Sequence, residues 1–382
     1  MAKDLANGTA ATQLTIPAER LPADGRFGSG PSKVRPEAVA ALAQAAGTYL
    51  GTSHRRPGVR SVVGRIRAGL GDLFGLPEGY EVILGNGGTT AFWDAAVFGL
   101  IERRSQHLSF GEFSSKFAAA VAGAPHLEAP EVIESEPGTC PDQHPNPDVD
   151  VYALTHNETS TGVAAPVRRP EGGTALTLVD ATSAAGGMRV SPGEYDVYYF
   201  APQKCFASDG GLWVALSSPG AIERIERLNA AGRWSPPSIS LPIALTNSRS
   251  DQTYNTPALA TLFLLCHQIE WILGQGGLEW AAGRCEASSS ILYRWADAHP
   301  LASPYVENPE RRSPVTATID FDASVDANVV ADVLRRNGVV DTESYRKLGR
   351  NQLRIACFPA IEPDDVARLT GAIDYVLEAL TA

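Results

Sequence analysis

The chain has 382 residues, of which 44% are hydrophobic and 20% are charged, a composition typical of a folded globular protein long enough for two domains. Its formal net charge of −11 and its pI near 5.2 argue against binding to nucleic acid through the general field of the protein. The five cysteines lie far apart and include no Cys-x-x-Cys pair, so they signal neither a disulfide framework nor a zinc site. We expect a protein of the reducing cytoplasm that needs no metal.

The first eight residues, Met-Ala-Lys-Asp-Leu-Ala-Asn-Gly, contain no apolar core of signal-peptide length. We expect residues 1–27 to form a polar N-terminal arm. The most apolar helical stretch, from Ala258 to Leu273, contains His267 and Glu270 and is short for a membrane span. It predicts a mostly buried helix, and we expect no membrane partner.

Between about Gly28 and Leu216, short apolar segments alternate with helix-like segments. This alternation predicts crossover connections and a largely parallel, buried sheet. Ligands of such sheets bind at the carboxyl ends of the strands. The candidate strands are Tyr80–Leu84, His107–Phe110, Val149–Thr155, Ala175–Val179, Asp196–Phe200 and Leu212–Leu216.

The last third of the chain has a different pattern. A Pro-rich stretch from Trp234 to Pro242 precedes a long helical region, Thr256 to about His299. We therefore predict a large domain over residues 28–275 and a smaller α+β domain over residues 276–382. The elements predicted in the smaller domain are the strand Val315–Phe321, the helix Val325–Asn337, the strand Gln352–Cys357 and the helix Glu362–Leu380.

Lys204 directly follows an apolar, aromatic strand candidate, where an ammonium group is costly to bury unless it is paired or neutral. A lysine whose pKa is lowered by its site is a good Schiff-base nucleophile. Asp180 ends a neighbouring apolar strand candidate. Pyridoxal phosphate needs a lysine for its aldehyde carbon and a carboxylate for its pyridine nitrogen, so the pair favours that cofactor. The alternative is a strand-end lysine that extends into solvent.

Further side chains fit the same cofactor. A glycine turn precedes Thr89 and Thr90 at a predicted helix start, where backbone N–H groups and hydroxyls can bind a phosphate, although such turns are common. Phe113 follows another strand and could stack on the cofactor ring, with core packing as the alternative. Thr159 could bond the ring oxygen, and Asn157 could line the pocket.

Basic side chains occur in three places that could bind carboxylate or phosphate. They are His54-Arg55-Arg56, Arg346-Lys347 and Arg354. Arg354 is the most informative, because its flanks in Leu-Arg-Ile-Ala-Cys-Phe are apolar and predict burial. Arg56 is expected to be a solvated surface charge.

Seven motifs carry a resemblance to a known family. They are Gly28-Ser-Gly-Pro-Ser, Gly51-Thr-Ser-His-Arg, Gly85-Asn-Gly-Gly-Thr-Thr, Asn157-Glu-Thr-Ser-Thr-Gly, Asp180-Ala-Thr-Ser, Gln203-Lys204 and Asn255-Thr256-Pro. With them the chain resembles the phosphoserine aminotransferases, a family of class-V pyridoxal-phosphate enzymes, from about Arg26 to the C-terminus. Many members have tryptophan where this chain has Phe113, and histidine-arginine where it has Arg346-Lys347. With these two variants the chain most resembles an actinobacterial branch of the family.

The resemblance implies an architecture and an assembly. It implies the fold-type I α/β architecture, with a mostly parallel seven-stranded sheet in the large domain and a smaller C-terminal α+β domain. It also implies a homodimer with active sites at the subunit interface. The implied cofactor is pyridoxal 5′-phosphate.

The resemblance further implies a role for each matching residue. Lys204 would bond the cofactor, Asp180 would hold the pyridine nitrogen, Thr159 would contact the ring oxygen and Phe113 would stack. The cofactor phosphate would be held by Thr89, Thr90 and Gln203, joined by Asn255 and Thr256 of the partner subunit. Arg354 would bind the substrate α-carboxylate. The far anion of the substrate would be held by His54, Arg55, Arg346 and Lys347.

The implied activity is amino transfer from L-glutamate to 3-phosphohydroxypyruvate, giving O-phospho-L-serine and 2-oxoglutarate in serine biosynthesis. The family also implies action on a phosphorylated hydroxythreonine of pyridoxine biosynthesis. The nearest alternatives are other class-V enzymes, such as an alanine–glyoxylate type aminotransferase or a cysteine desulfurase. Against the desulfurase, Cys205 suggests strand-end packing rather than a mobile thiol. A module that holds the cofactor for regulation is a further alternative.

Overall fold

A computed structural model describes residues 14–381 of the chain, so the first thirteen residues of the predicted N-terminal arm lie outside the described residues. The larger of its sheets has seven strands. They are β1 (Glu81–Asn86), β2 (Ser105–Ser109), β3 (Glu131–Glu134), β4 (Val151–Thr155), β7 (Leu176–Asp180), β8 (Val197–Phe200) and β9 (Leu212–Ser217). Two short strands, β5 (Asn157–Glu158) and β6 (Val163–Ala164), form a separate hairpin directly after β4.

The strand order in the large sheet is β1-β9-β8-β7-β4-β2-β3. Only β9 runs antiparallel to its neighbours, β1 and β8, whereas the other adjacent pairs are parallel. The predicted largely parallel sheet is therefore confirmed. Thr155 pairs with Asp180, and Asp180 pairs with Tyr199. This register brings the carboxyl ends of β4, β7 and β8 together at one edge.

The six strand candidates of the large sheet are all present, with ends shifted by a few residues. Strand β3 was not predicted from the sequence, because its segment Glu-Val-Ile-Glu is short and polar at both ends. Its burial alternates between half-buried and exposed, as expected for an edge strand. The inner strands β4, β7, β8 and β9 are buried at every position, which is why they were recognised as apolar runs.

Helices cover both faces of the large sheet. They are α1 (Pro36–Tyr49), α2 (Pro57–Phe74), α3 (Thr89–Gly99), α4 (Glu112–Ala122), α5 (Pro219–Ala230), α6 (Leu241–Arg249) and α7 (Leu259–Gln275). Leu178 and Val179 are successive residues of β7 that belong to different apolar clusters, one on each face. Helices α3 to α6 pack on the face that carries Leu178, and helices α2 and α7 pack on the face that carries Val179.

The long predicted helical region is divided into two helices, α7 and α8 (Gly277–Ala298). Gly276 and Gly277 separate them with φ values of +126° and +74°, a backbone conformation that glycine adopts readily. The C-terminal part contains a three-stranded antiparallel sheet, whose first strand was not predicted, and the four predicted elements have ends shifted by at most two residues. Its elements are β10 (Ala302–Pro304), β11 (Thr316–Phe321), α9 (Ala327–Arg336), β12 (Gln352–Ala356) and α10 (Pro363–Thr381).

The described part of the N-terminal segment packs on this C-terminal part. The Phe27 amide donates to the Val340 carbonyl at 3.2 Å, and the Ala356 amide donates to the Phe27 carbonyl at 3.0 Å. Ile16 is buried. The division into an arm, a large domain and a small domain stays a prediction, since these contacts join residues 14–27 to the C-terminal sheet.

Within residues 14–381, no helix has the length and apolar character required to span a bilayer. Helix α7, which contains most of the apolar stretch from Ala258 to Leu273, instead packs against α2. Its buried residues include Leu262, Leu265 and Ile269. The prediction of a mostly buried helix is therefore confirmed.

Candidate active site

A cavity of about 450 Å³ opens at the carboxyl ends of β4, β7 and β8, where the register places the strand ends side by side. Ligands of open α/β sheets bind at this edge. Seven of the predicted site residues line the cavity: Thr89, Thr90, Phe113, Thr159, Asp180, Gln203 and Lys204. Trp93, Asn157 and Thr182 also line it.

Lys204 lies in the loop after β8, with its side chain buried. Its Nζ donates a hydrogen bond to the Ser29 carbonyl. Burial, and then the positive charge of Arg354, lowers the pKa of Lys204 to about 8. A lysine in this position is therefore partly neutral near neutral pH, as a nucleophilic amine requires.

Gly30 makes room for that lysine. It has a φ of +126°, and a Cβ at this position would overlap Cε and Nζ of Lys204. The same segment is bonded to the lysine loop, because Ser32 Oγ donates to the Lys204 carbonyl at 2.6 Å and the Ser32 amide donates to the Gln203 carbonyl at 3.0 Å. The Gly28-Ser-Gly-Pro-Ser motif thus holds the backbone and the side chain of Lys204.

Asp180 is the last residue of β7 and is buried. Burial raises its pKa, while hydrogen bonds from Thr182 and Trp93 oppose that change. Thr182 donates to Oδ1 through its amide at 2.9 Å and its hydroxyl at 2.6 Å, and Trp93 Nε1 donates to Oδ2 at 3.1 Å. These donors favour the charged carboxylate. Sequence reasoning missed Trp93, although it lies one helical turn after Thr89 on the same face of α3.

The start of α3 forms the next wall. Helix α3 begins at Thr89 after Gly88, and no side chain caps it. Its first backbone amides are therefore available to an anion. Gln203 also lines this cavity, and its Oε1 is buried without a hydrogen-bond partner among the described residues.

The hairpin after β4 supplies a polar wall. Asn157 Nδ2 and Thr159 Oγ1 donate to Ser183 Oγ at 2.8 Å and 2.7 Å, and Ser183 Oγ in turn donates to the Asn157 carbonyl at 3.1 Å. Asn157 Oδ1 has no partner within the described part of the chain. Ser183 was not singled out from the sequence, although it belongs to the Asp180-Ala-Thr-Ser motif.

An aromatic and basic group contacts two of the cavity residues, Phe113 and Thr159. The ring centroids of Phe113 and Tyr345 are 6.0 Å apart, and the Arg354 guanidinium carbon lies 5.3 Å from the Tyr345 centroid. Arg354 Nη1 donates to the Thr159 carbonyl at 3.4 Å, and its Nε is buried without a partner in the described chain. Burial lowers the pKa of Arg354. Tyr345, which connects the predicted ring-stacking and carboxylate-binding residues, was missed.

Arg354 and the six remaining predicted residues do not line the cavity of a single subunit. Arg55 donates to the Gln252 side chain at 2.7 Å and to the Tyr254 carbonyl at 3.2 Å. Lys347 forms an ion pair with Glu112 at 2.5 Å, next to Phe113. The others are half-buried or exposed away from the cavity: His54, Asn255, Thr256 and Arg346. The roles of all the predicted site residues stay predictions.

Residues 27–342 match the family model described as Aminotransferase class-V. This match covers most of the chain, and the protein therefore belongs to the class-V aminotransferase family. Its α/β fold, with a large and mostly parallel seven-stranded sheet, is that of the fold-type I aminotransferases.

The curated relatives are more specific. Over 368 residues the chain is 60% identical to a putative phosphoserine aminotransferase from Mycobacterium leprae (strain TN). The matched residues cover 96% of this chain and 98% of the relative. It is 59% identical over 366 residues to a phosphoserine aminotransferase from Rhodococcus jostii (strain RHA1), with the same coverage of both chains. A solved phosphoserine aminotransferase from Cytophaga hutchinsonii has a TM-score of 0.84 at 26% identity, covering 92% of this chain and 99% of that one.

Proposed function

We propose that this protein is a phosphoserine aminotransferase that uses pyridoxal 5′-phosphate. It transfers the amino group of L-glutamate to 3-phosphohydroxypyruvate, giving O-phospho-L-serine and 2-oxoglutarate. The observation that carries the proposal is the buried Lys204, with its lowered pKa, facing one cavity together with Asp180. The relatives that carry this name extend over nearly the whole chain, which supports the substrate assignment.

The cavity residues fit the cofactor. A volume of about 450 Å³ lies within the usual size of small-molecule sites. Asn157 Oδ1 and Gln203 Oε1 are buried polar atoms that lack a partner among the described residues, as expected where a polar ligand completes the bonding. Lys204 offers an amine, Asp180 offers a carboxylate for the pyridine nitrogen, and Phe113 offers an apolar ring face. Thr89, Thr90 and Gln203 would hold the phosphate, and Thr159 would contact the ring oxygen.

When bound, the cofactor supplies an electron sink for the bonds at the substrate Cα. The protein's own part is to bind, orient and move protons. Lys204 Nζ, with a pKa of about 8, can accept a proton from Cα and return it within one cycle. Burial raises the pKa of Asp180, whereas Trp93 and Thr182 donate to both of its oxygens and favour the charged form that would hold the pyridine nitrogen. Burial of these groups keeps water away from the reacting atoms.

The substrate anions would be held by the basic residues. Arg354 has a buried, unpaired Nε among the described residues and would bind the α-carboxylate. The distal phosphate or carboxylate would be held by His54, Arg55, Arg346 and Lys347. One cationic subsite for both anions allows glutamate and phosphoserine to use the same pocket. The phosphorylated hydroxythreonine of pyridoxine biosynthesis would fit the same subsite.

We infer a cytoplasmic homodimer with shared active sites. Asn255 and Thr256 are exposed and do not line the cavity of their own subunit, and Arg55 is bonded to the same segment through the Tyr254 carbonyl. An exposed segment with this composition would reach the cavity of the partner and complete its phosphate and distal-anion sites.

The rival assignment as a cysteine desulfurase is disfavoured by Cys205. A desulfurase needs an accessible nucleophilic thiol, whereas Cys205 is fully buried and its Sγ donates to the Ser183 carbonyl at 3.2 Å. Burial raises the pKa of this thiol strongly. Cys205 therefore packs behind the cavity rather than reacting in it.

The pKa of Lys204 gives a pH prediction. Because only the neutral amine can bond the cofactor aldehyde, the rate of cofactor capture by the cofactor-free protein should rise about tenfold per pH unit in acid solution. The rise should level off near pH 8, where the lysine becomes mostly neutral. Stopped-flow absorption from pH 6 to about pH 10 measures this profile. A rate that keeps rising to about pH 10 would contradict a buried, neutralised lysine.

The distal-anion subsite is tested with Arg55→Ala. Loss of a charge-assisted contact to the distal anion should lower kcat/KM for phosphoserine and glutamate by about tenfold to a hundredfold. Activity with L-alanine, which has no distal anion, should change little. Arg56→Ala is the matched control, since Arg56 is an exposed neighbour with no side-chain bond to the segment around Tyr254. Equal losses with all three amino acids would argue for a structural effect of Arg55.

The function itself is tested by steady-state turnover of O-phospho-L-serine with 2-oxoglutarate, followed as glutamate formed. We expect kcat/KM for phosphoserine to exceed that for L-alanine and L-serine by at least about a hundredfold. The two other amino acids have no distal anion and would leave the charged subsite unpaired. A preference for alanine with glyoxylate would replace this assignment by the alanine–glyoxylate type. Cofactor binding without turnover of any amino acid would favour a regulatory module.

A further inference from the structure

Glu158 is a buried carboxylate between two cavity residues, Asn157 and Thr159, and it is completely shielded from solvent. No arginine or lysine forms an ion pair with it among residues 14–381. A buried carboxylate without a cationic partner is costly and needs hydrogen bonds to its charged form. Its donors identify what the side chain holds in place.

The donors come from the first turn of helix α4 and from Ser160 of the hairpin. Oε2 of Glu158 accepts from the Phe113 amide at 3.1 Å and from the Ser114 amide at 2.9 Å. Oε1 accepts from Ser160 Oγ at 2.6 Å, and Ser160 Oγ accepts in turn from the Glu112 amide at 3.0 Å. The first three amides of α4 are thus all bonded by the 158–160 segment.

This arrangement replaces a missing local cap. Helix α4 begins after Gly111, which has no side chain to bond the second or third amide, as a serine or aspartate at that position would. Glu158 supplies that oxygen from another part of the chain. Gly111 also leaves the necessary space, because a Cβ there would overlap Cγ of Glu158. A negative charge at a helix N-terminus is further stabilised by the helix dipole.

The capped turn carries Phe113, whose ring lines the cavity. Glu158 bonds the Phe113 backbone directly, and the hairpin that carries Glu158 also carries Asn157 and Thr159 on the neighbouring wall. We propose that Glu158 is a positioning residue that fixes the Phe113 ring relative to the Asn157 and Thr159 wall, and so sets how tightly the site holds its cofactor. The inference rests on the proposed cofactor site, and it does not depend on which amino acid is the substrate.

The test uses the cofactor-loaded enzyme and the Glu158→Gln variant. Glutamine has the same shape as glutamate but only one acceptor oxygen. Its terminal NH2 group would therefore face one of the donors that now bond a carboxylate oxygen of Glu158. We expect the rate of cofactor release, measured after dilution into a cofactor trap, to rise about tenfold. The circular dichroism of the bound cofactor should weaken as well, because the ring is held less rigidly.

A double-mutant cycle separates positioning from general destabilisation. If Glu158 acts through Phe113, the Glu158→Gln substitution should change release by at most about twofold in a Phe113→Ala background. A tenfold effect in both backgrounds would overturn the assignment. Asp150→Asn is the matched control, because Asp150 is another carboxylate that accepts three backbone amides, from Glu102, Arg103 and Arg104, each at 2.8 Å. It lies at the opposite end of β4, so its loss should leave the release rate unchanged.

A milder variant keeps the test decisive if Glu158→Gln does not fold. Ser160→Ala removes one donor to Glu158 and the acceptor of the Glu112 amide, and it should raise the release rate about threefold, again only when Phe113 is present. An unchanged release rate would count against the proposal. If release behaves as expected while phosphoserine is not preferred as substrate, the proposed substrate falls and the role of Glu158 stands.

Discussion

Replacing Lys204 by alanine is expected to lower aminotransferase turnover by at least about a thousandfold, a rise of about 4 kcal/mol in the activation barrier. The loss is large because, in the proposed mechanism, one amine both bonds the cofactor and moves the proton at the substrate Cα. The free energy of unfolding should not fall, because burial of this amine is unfavourable in the wild-type protein. Its lowered pKa reflects that unfavourable burial. Turnover and the thermal unfolding of the cofactor-free protein measure the two effects.

Lys33 offers a matched control for this experiment. It is also buried, but it forms ion pairs with Asp24 at 3.3 Å and with Asp365 at 3.9 Å, away from the cavity. Lys33→Ala should therefore lower the unfolding temperature and keep most of the turnover. Substantial turnover in Lys204→Ala would contradict the assigned chemistry.

Replacing Gly30 by alanine is expected to lower kcat/KM by about a hundredfold, because a small misplacement of a reacting group costs that much. The new Cβ would overlap Cε and Nζ of Lys204, so the amine must move from its place beside the Ser29 carbonyl. The rate of cofactor capture should fall in parallel with turnover. Both are measured on the purified variant.

Gly173→Ala separates this steric effect from backbone strain. Gly173 has a similar φ of +119°, but a Cβ there would meet nothing within 4 Å. The two variants should therefore lose similar amounts of stability, about 1–2 kcal/mol, whereas only Gly30→Ala should lose activity. Equal activity losses would mean that the conformational cost alone disturbs the enzyme.

Local sequence patterns predicted the parts of the site that lie at strand ends. Lys204 and Asp180 were recognised because each is a charged residue close to the carboxyl end of a fully buried, apolar strand. The inner strands were predicted for the same reason. Strand β3 and the break at Gly276 were not, since an edge strand needs little apolar surface and an isolated glycine pair has no clear periodic signal.

Residues that act across the fold were missed. Trp93 reaches Asp180 from another element, and Glu158 caps a helix that begins far from it in sequence. Such contacts depend on tertiary packing, and the local hydrophobic periodicity of the sequence does not predict them. Gly111 and Gly30 were given no individual role from the sequence, although a Cβ at Gly111 would overlap Glu158 and one at Gly30 would overlap Lys204.

The basic residues show a different limit. His54, Arg55 and Arg346 were identified as an anion site by residue type, yet they do not line the cavity of a single chain. Their residue types predict anion binding, and in the proposed dimer they would reach the cavity of the partner subunit. The proposed dimer would explain why they do not line the cavity of one subunit.

The most direct test mixes the cofactor-loaded protein with O-phospho-L-serine alone and follows the visible absorption band of the lysine-bound cofactor. L-alanine and unphosphorylated L-serine serve as comparisons. The account predicts rapid loss of the band with phosphoserine and slow or no loss with the other two. A band that persists with phosphoserine but decays with alanine would contradict the phosphate subsite, and the absence of any such band would contradict the role of Lys204.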